Sequence, residues 1–330
     1  MKLEFGFQLS NMEPLKIRDV AQAAEALGYD YIVFPDHIVL EGPEGQYDPH
    51  GLAWDMLSMA AMVAEATRKI RIGHLVLCNL FRHPVITAQS LTTLDHLSNG
   101  RLLAGLGSGW TESEFKMTGI PFPPIAERLK MLDEALTCIR SLWANERTTF
   151  EGEFYQLHDA ILWPKPVQKP CPPIIVGGGG KGLLRVAAKH ADFLNIIPDA
   201  GKAGRISLDR VKDLTDESMR EKIAFMREEA KRNGRDPSSI RISNYLFTIS
   251  ISDSKQAARQ MAEMMGPAFK LSAEEVLQSP LVLIGTPEDC IKELKRREKN
   301  WGVSQFLFST FGGLDEKLLR RLKEDVIAHL

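Results

Sequence analysis

Ile174-Ile175-Val176-Gly177-Gly178-Gly179-Gly180-Lys181 is the stretch of this chain best suited to hold an anion. Ile174 to Gly177 read as a fully buried strand, the glycines turn the backbone sharply, and Gly182-Leu183-Leu184-Arg185-Val186-Ala187-Ala188 continues at once as an apolar-periodic helix. A helix entered in this way presents unpaired backbone N–H groups and the positive end of its dipole. No Cβ keeps a phosphate away. Gly177, Gly178, Gly179 and Gly180 are therefore a candidate phosphate cradle, although the same run without context makes only a tight turn. It is not a P-loop, since no Gly-Lys-Ser/Thr ends it, and it lacks the spaced acidic residue of a dinucleotide fingerprint.

Asp36-His37 sets a carboxylate beside a titratable imidazole. The pair suits a general acid/base with its orienting carboxylate, or donors to a polar ring system; a capping Asp beside a structural His is the plainer alternative. Cys78-Asn79 offers an amide and backbone groups to a cofactor edge, or is a packed thiol followed by a turn residue. In Gly107-Ser108-Gly109-Trp110 the glycines let backbone approach a planar ring and the indole supplies a stacking wall; the alternative is a core tryptophan after a glycine turn. Arg82-His83-Pro84 reads as a helix start. Met56, Met59 and Met62, like Met261, Met264 and Met265, recur at helical spacing and read as core or contact surface.

The elements that must position these residues alternate. Strands are expected at Phe5–Leu9, Tyr31–Pro35, Ile70–Leu77, Arg101–Leu106, Ile174–Gly177, Phe193–Ile197, Ile240–Ile249 and Gln305–Ser309. Helices are expected at Pro14–Ala26, Ala53–Arg68, Pro84–Leu97, Ile125–Trp143, after Lys181, and at Thr215–Asn233. Further helices follow at Ser254–Met265, Ser272–Gln278, Pro287–Lys299 and Leu314–His329. A hairpin insertion with Gly152 in its turn occupies about 147–158, and Pro164 to Pro173 form an extended connector. Eight strands alternating with helices give an α/β fold, a (β/α)8 TIM barrel with insertions, a doubly wound open sheet being the alternative. No linker separates two domains, so residues 1–330 are expected to form one. Active sites of such barrels lie at the C-terminal strand ends, and Asp36-His37, Cys78-Asn79, Gly107 to Trp110, Gly177 to Gly180 and Asn195 to Pro198 all collect there. The polar loops Glu41 to Gly51 and Pro198 to Leu214, the latter a mobile loop at about 198–214, are candidate lids.

Bulk properties narrow the classes. With 330 residues, 44% apolar and 25% charged, the composition is that of an ordinary globular chain. A net charge of −2, from 41 basic and 43 acidic residues, leaves no electrostatic footprint for nucleic acid or an anionic membrane. No apolar run approaches membrane-spanning length and no signal core is present, so a cytoplasmic location is expected. Cys78, Cys138, Cys171 and Cys290 are too dispersed for a ligand motif, the histidines have no metal-binding spacing, and no metal is expected. No Lys or Glu stands clearly at a strand end, which disfavours a phosphate-binding barrel isomerase.

Several stretches together resemble the bacterial luciferase-like monooxygenase superfamily. They are Asp36-His37, Arg71 to Leu77 with Arg82-His83-Pro84, Thr93-Leu94-Asp95-His96-Leu97-Ser98-Asn99-Gly100-Arg101, Gly105 to Trp110, and Val176 to Gly180. Thr118-Gly119-Ile120-Pro121-Phe122, Thr149-Phe150-Glu151-Gly152 and Leu271 to Pro280 with Gly285-Thr286 are similar to its branch of deazaflavin (coenzyme F420)-dependent oxidoreductases. The resemblance implies a luciferase-like barrel holding coenzyme F420, or alternatively FMN, with its ring toward the strand ends. It implies a non-proline cis peptide after strand three, with Leu77, Cys78 and Asn79 as matching positions, and a phosphate site at the glycines from Gly177. Asp36 and His37 match ring-contacting positions, with His37 as proton donor. Some deazaflavin members carry a catalytic carboxylate where this chain has Trp110; Glu112 and Glu114 lie nearby, and sugar-phosphate dehydrogenation is disfavoured. The activity implied is hydride transfer between the cofactor and a small organic substrate, in a homodimer. The alternatives are an FMN-dependent monooxygenase and a non-catalytic flavin-binding barrel.

Overall fold

Tyr31-Ile32-Val33-Phe34 and Ile174-Ile175-Val176 are apolar on both faces, as strands must be when helices cover one side and barrel-filling side chains the other. The computed structural model describes residues 2–41, 47–48, 50–199, 208–309 and 316–330. The barrel strands are β1 (Glu4–Gln8), β2 (Tyr31–Phe34), β3 (Arg71–His74), β4 (Leu102–Gly107), β5 (Ile174–Gly177), β6 (Phe193–Ile196), β7 (Arg241–Leu246) and β8 (Val303–Phe308). All pair in parallel, β8 with β1 and β4 with β5 completing the ring. Helices α1 (Pro14–Ala26), α2 (Met56–Ala66), α3 (Pro84–Leu97), α4 (Glu112–Thr118), α5 (Ile125–Ala144), α6 (Lys181–His190) and α7 (Asp216–Arg232) follow in order. After β7 come α8 (Lys255–Phe269), α9 (Ala273–Gln278) and α10 (Pro287–Trp301), and α11 (Glu316–Asp325) follows β8.

Side chains fill the ring from the inside. Tyr31, Val33, Leu103, Ile175, Phe193, Tyr245 and Leu307 form an inner cluster distinct from the strand–helix core. At the N-terminal floor Glu4 accepts Arg71 at 2.7 Å, Arg241 at 3.1 Å and Gln305 at 3.1 Å. Alternation along β6 therefore turns Asn195 inward between Phe193 and Ile197, toward the open end.

Three differences from the expected elements have local causes. Strand three ends at His74, and Leu77–Cys78 forms a separate short segment. The seventh strand is two: Phe247 donates its N–H to Leu281 O, and Thr248–Ile251 leaves the barrel to pair in parallel with Val282–Gly285. Loose alternation across Phe247 hides that exit, and the short run 281–284 between Pro280 and Gly285 hides its partner. Helix α4 was not expected because its seven residues carry too little periodicity. The hairpin pairs Thr148–Glu151 with Gln156–Ala160, two residues beyond the expected end. The start of the last expected helix and parts of both candidate lids, residues 42–46, 49 and 200–207, lie outside the described residues. Among those described, no helix is long and apolar enough to cross a membrane.

His74 is fully buried between β3 and α2, its Nε2 3.3 Å from Met56 O and its Nδ1 without a partner. Burial, as the largest cause, pulls its pKa from 6.5 down to about 4. The unfolded chain thus binds a proton that the native state refuses, so stability present above pH 6.5 is lost as pH falls toward 4. We expect urea midpoints to fall between pH 7 and pH 5, with the His74 ring still neutral by NMR at pH 5. A ring that titrates near 6.5 would contradict this.

Candidate active site

The register between β3 and β4 slips once. Ile72 and Gly73 face Leu102 and Leu103, yet Leu77 and Cys78 face Leu106 and Gly107, so residues 74–76 oppose only 104 and 105. This is a bulge at the C-terminal mouth, where extra residues commonly re-aim a strand end. The Leu75–Val76 peptide within it is cis. The expected position at Leu77-Cys78-Asn79 is thereby corrected: Leu77 and Cys78 are already back in extended pairing with β4. A Cβ on Gly105 would run into the His74 carbonyl, and one on Gly107 would lie 2.5 Å from Val76 Cγ2. Gly177 adds a third wall, its Cβ position 3.3 Å from Val76 Cγ1. Three glycines on two strands thus make the seat for Val76.

Polar anchors hold the bulge from both sides. Gln8 Nε2 donates to Leu75 O at 3.0 Å, and Tyr245 OH donates to Gln8 Oε1. Asp36 accepts the Cys78 N–H at 2.8 Å and a two-point ion pair from Arg82 at 2.6 and 3.0 Å. Asn79 Nδ2 donates to Tyr155 OH at 3.2 Å, which ties the hairpin insertion to the back of the site. The sequence offered Asp36 as the carboxylate that orients His37; the structure corrects this, since Asp36 binds the Cys78 N–H and Arg82 instead. Its carboxylate is 6% exposed and committed to Arg82 and the Cys78 amide, so its place is in fixing the strand end.

The carboxylate that meets His37 is Glu114, on α4. His37 Nδ1 lies 3.2 and 3.3 Å from its two oxygens. Glu114 is 2% exposed and also accepts the Ile38 N–H at 2.6 Å and the Val39 N–H at 3.4 Å. Trp110 stands edge-on to the His37 ring at 5.6 Å. Buried Arg128, with its guanidinium 3.9 Å above the Phe122 ring, donates to Gly109 O at 2.5 Å and fixes the turn that carries Trp110. Ser108 is buried in that turn. Cys78 lies against Gly109, and burial pushes its thiol up to about 12, which makes it a packing group and not a nucleophile.

The glycine notch opens beside the Val76 seat. Gly178 N–H is spent on Asn195 O at 2.9 Å, and a Cβ on Gly179 would collide with Ile197 O. Gly180 is the N-cap of α6 and has no side chain with which to cap the first turn. Lys222 donates to Gly179 O at 2.6 Å, and Lys181 begins the helix. A bare-backbone cradle, the N-terminus of a ten-residue helix entered through glycine, and adjacent cations fit a phosphate group.

The structure therefore joins Gly107 to Gly177 through Val76, and His37 to Trp110, while Leu77, Cys78 and Asn79 lie buried beneath. Sequence reasoning left Glu114 without a role and read Arg82 only as part of a helix start. It did that correctly for His83, which accepts the Val85 N–H as N-cap. A buried acid in a Thr-Glu-Ser-Glu run is the one signal that could have singled out Glu114. Nothing in the sequence marks Gln8 or Tyr245.

Comparison with known proteins agrees with this architecture. A family model described as luciferase-like monooxygenase matches residues 5–305. A protein named F420-dependent glucose-6-phosphate dehydrogenase from Amycolatopsis mediterranei is 28% identical over 343 residues, spanning 99% of this chain and 98% of its own. One of the same name from Kribbella flavida is 29% identical over 339 residues, spanning 99% and 98%. Among solved structures, the coenzyme F420-dependent tetrahydromethanopterin reductase from Methanopyrus kandleri shares the fold. Its TM-score is 0.79 at 21% identity over 100% of this chain and 99% of that one. An F420-dependent secondary alcohol dehydrogenase in complex with an F420-acetone adduct gives 0.78 at 23%, over 99% of each. The chain belongs to the luciferase-like monooxygenase family.

Asp36→Asn would leave Arg82, in a mostly buried setting, with only its longer pairing to Asp55 at 3.7 Å. We expect a loss of about 3 kcal/mol in urea unfolding. Unchanged stability with abolished turnover would instead return Asp36 to a chemical role.

Proposed function

We propose that this chain is a coenzyme F420-dependent oxidoreductase acting on a small organic substrate. The observation that carries the reading is the contact of Val76 with the Gly107 and Gly177 positions. It makes the re-aimed strand end and the anion notch one continuous surface, suited to a flat ring with an anionic tail. When bound, the deazaflavin supplies the hydride-carrying carbon. The chain supplies orientation, electrostatics and water exclusion.

In this proposal the N–H groups at the start of α6 hold the tail phosphate, with Gly177 to Gly180 giving it access. Leu75 and Val76 back the ring, Gly107 to Gly109 let backbone approach it, and Trp110 walls the substrate side. Leu77, Cys78 and Asn79 support these groups from beneath. His37 carries the proton that must leave or reach the substrate oxygen as hydride moves. Glu114, hydrogen-bonded to Nδ1, fixes the ring so that Nε2 is left for substrate, which is the standard division between an acid/base and its orienting partner. Trp110 stands where some deazaflavin enzymes have a carboxylate, which leaves this task to the His37–Glu114 pair. The names of the curated relatives and the FMN chemistry of the wider family define the competing assignments.

Titration of the purified protein with F420 and with FMN, followed by quenching of Trp110 fluorescence, tests the cofactor. Saturable F420 quenching with much weaker FMN quenching is expected; the reverse order contradicts the reading. Across a panel of alcohols, sugar phosphates and enones, His37→Gln should lower turnover by about 10²-fold or more while F420 binding changes little. Glu114→Gln should cost less, on the order of tenfold. Full activity in His37→Gln would remove it from the mechanism.

A further inference from the structure

Arg128 is a cation that the fold buries without an acid beside it. It is 1% exposed and, among the described residues, forms no ion pair. Its Nη1 donates to Gly109 O at 2.5 Å, and its guanidinium carbon lies 3.9 Å from the centre of the Phe122 ring. Nε, also buried, meets no hydrogen-bond partner among the described residues. Two titratable groups lie within electrostatic reach, Cys78 and Glu112. Cys78 stays neutral, its thiol pushed up to about 12, and Glu112 is an exposed residue of α4 whose charge water screens. Burial pulls the Arg128 pKa down, yet a guanidinium keeps its proton inside proteins. An unpaired interior charge is destabilising. A neutral amide could donate to Gly109 O equally well, so fixing the turn does not account for the charge.

The peptide that Arg128 touches extends its effect. Gly109 O and the Trp110 N–H belong to one planar unit and point in opposite directions, so the positive end of its dipole faces away from the guanidinium. Charge and dipole add beyond the turn that carries Trp110, whose ring meets His37 at 5.6 Å. A buried charge is also little screened by salt. We propose that Arg128 makes the site prefer the reduced cofactor to the oxidised one. This rests on the cofactor reading above, in which the 107–109 turn approaches the ring, and deepens it by assigning a direction. A hydride brings two electrons with one proton, so a cofactor that has accepted it carries one more negative charge. In that direction the substrate C–H bond breaks, its hydride passes to the cofactor carbon, the O–H proton passes to His37 Nε2, and the C=O bond forms. Negative charge grows on the Arg128 side and positive charge at the ring that buried Glu114 holds, so each buried ion faces the charge it favours. The bound equilibrium is thereby biased toward oxidation of the substrate.

The test measures dissociation constants of oxidised and chemically reduced F420 for the full-length protein by anaerobic calorimetry. Wild type should bind the reduced form about tenfold more tightly than the oxidised form. Arg128→Gln and Arg128→Met, which remove the charge with side chains of different polarity, should bring that ratio to about twofold or less, with oxidised F420 affinity changing threefold or less. Arg128→Lys, which keeps the charge, should retain most of the wild-type preference. Loss of a merely structural contact would weaken both forms alike and leave the ratio where it was. A wild type that binds both forms equally, or neutral variants that keep its ratio within twofold, overturns the role of Arg128 and leaves the cofactor reading standing. A wild type that binds neither form overturns both.

Discussion

The site depends on one packing constraint: the extra residue in strand three must go somewhere, and three glycines decide where. Gly105 admits the His74 carbonyl, and Gly107 and Gly177 admit the Val76 side chain. A methyl group at Gly105 or Gly107 would meet backbone or side chain well inside contact distance. Interiors packed at crystal-like density do not absorb such an intrusion by small adjustments. The bulge is therefore a property of β4 and β5 as much as of the strand that carries it. Its two flanks are then pinned by unlike means, a neutral chain from Tyr245 through Gln8 to Leu75 O, and the charged clamp of Asp36 on Arg82 and the Cys78 amide.

The same economy appears around Glu114. A carboxylate only 2% exposed is costly unless it is paired and hydrogen-bonded. Here two successive backbone N–H groups after β2 and the His37 ring meet it. The short helix α4 is held to the β2 end by these bonds, and the imidazole is held in one orientation by the same oxygens. Structural satisfaction of a buried acid and positioning of the His37 ring are one arrangement. Asp36, next in sequence to His37, serves the neighbouring strand, so two adjacent residues at one strand end anchor two different parts of the mouth.

Much of the scaffold was legible because barrel strands buried on both faces leave short apolar runs with glycine, proline and Asn punctuation around them. α1 and α3 begin at Pro14 and Pro84 as expected, and the eight barrel strands fall where the apolar runs lie. The glycine notch could be read because only backbone is needed to describe it. Pairings across the fold could not. Asp36 with Arg82 is separated by 46 residues and Gln8 with Tyr245 by 237, and no local pattern links them. The displaced cis peptide shows the same limit, since a one-residue slip is set by what the facing strands leave open. Phe247, where β7 gives way to a separate parallel pair, continues the alternation of a single strand and so conceals the break.

The central claim is that the bulge at Leu75–Val76 and the notch at Gly178 to Gly180 serve one bound molecule. A crystal structure of the protein soaked with oxidised F420 tests it most directly. The account predicts the tail phosphate within hydrogen-bond distance of the first-turn N–H groups of α6, with the ring against Val76. Density for the tail at any other part of the barrel mouth, with the notch still lined only by protein, would contradict it.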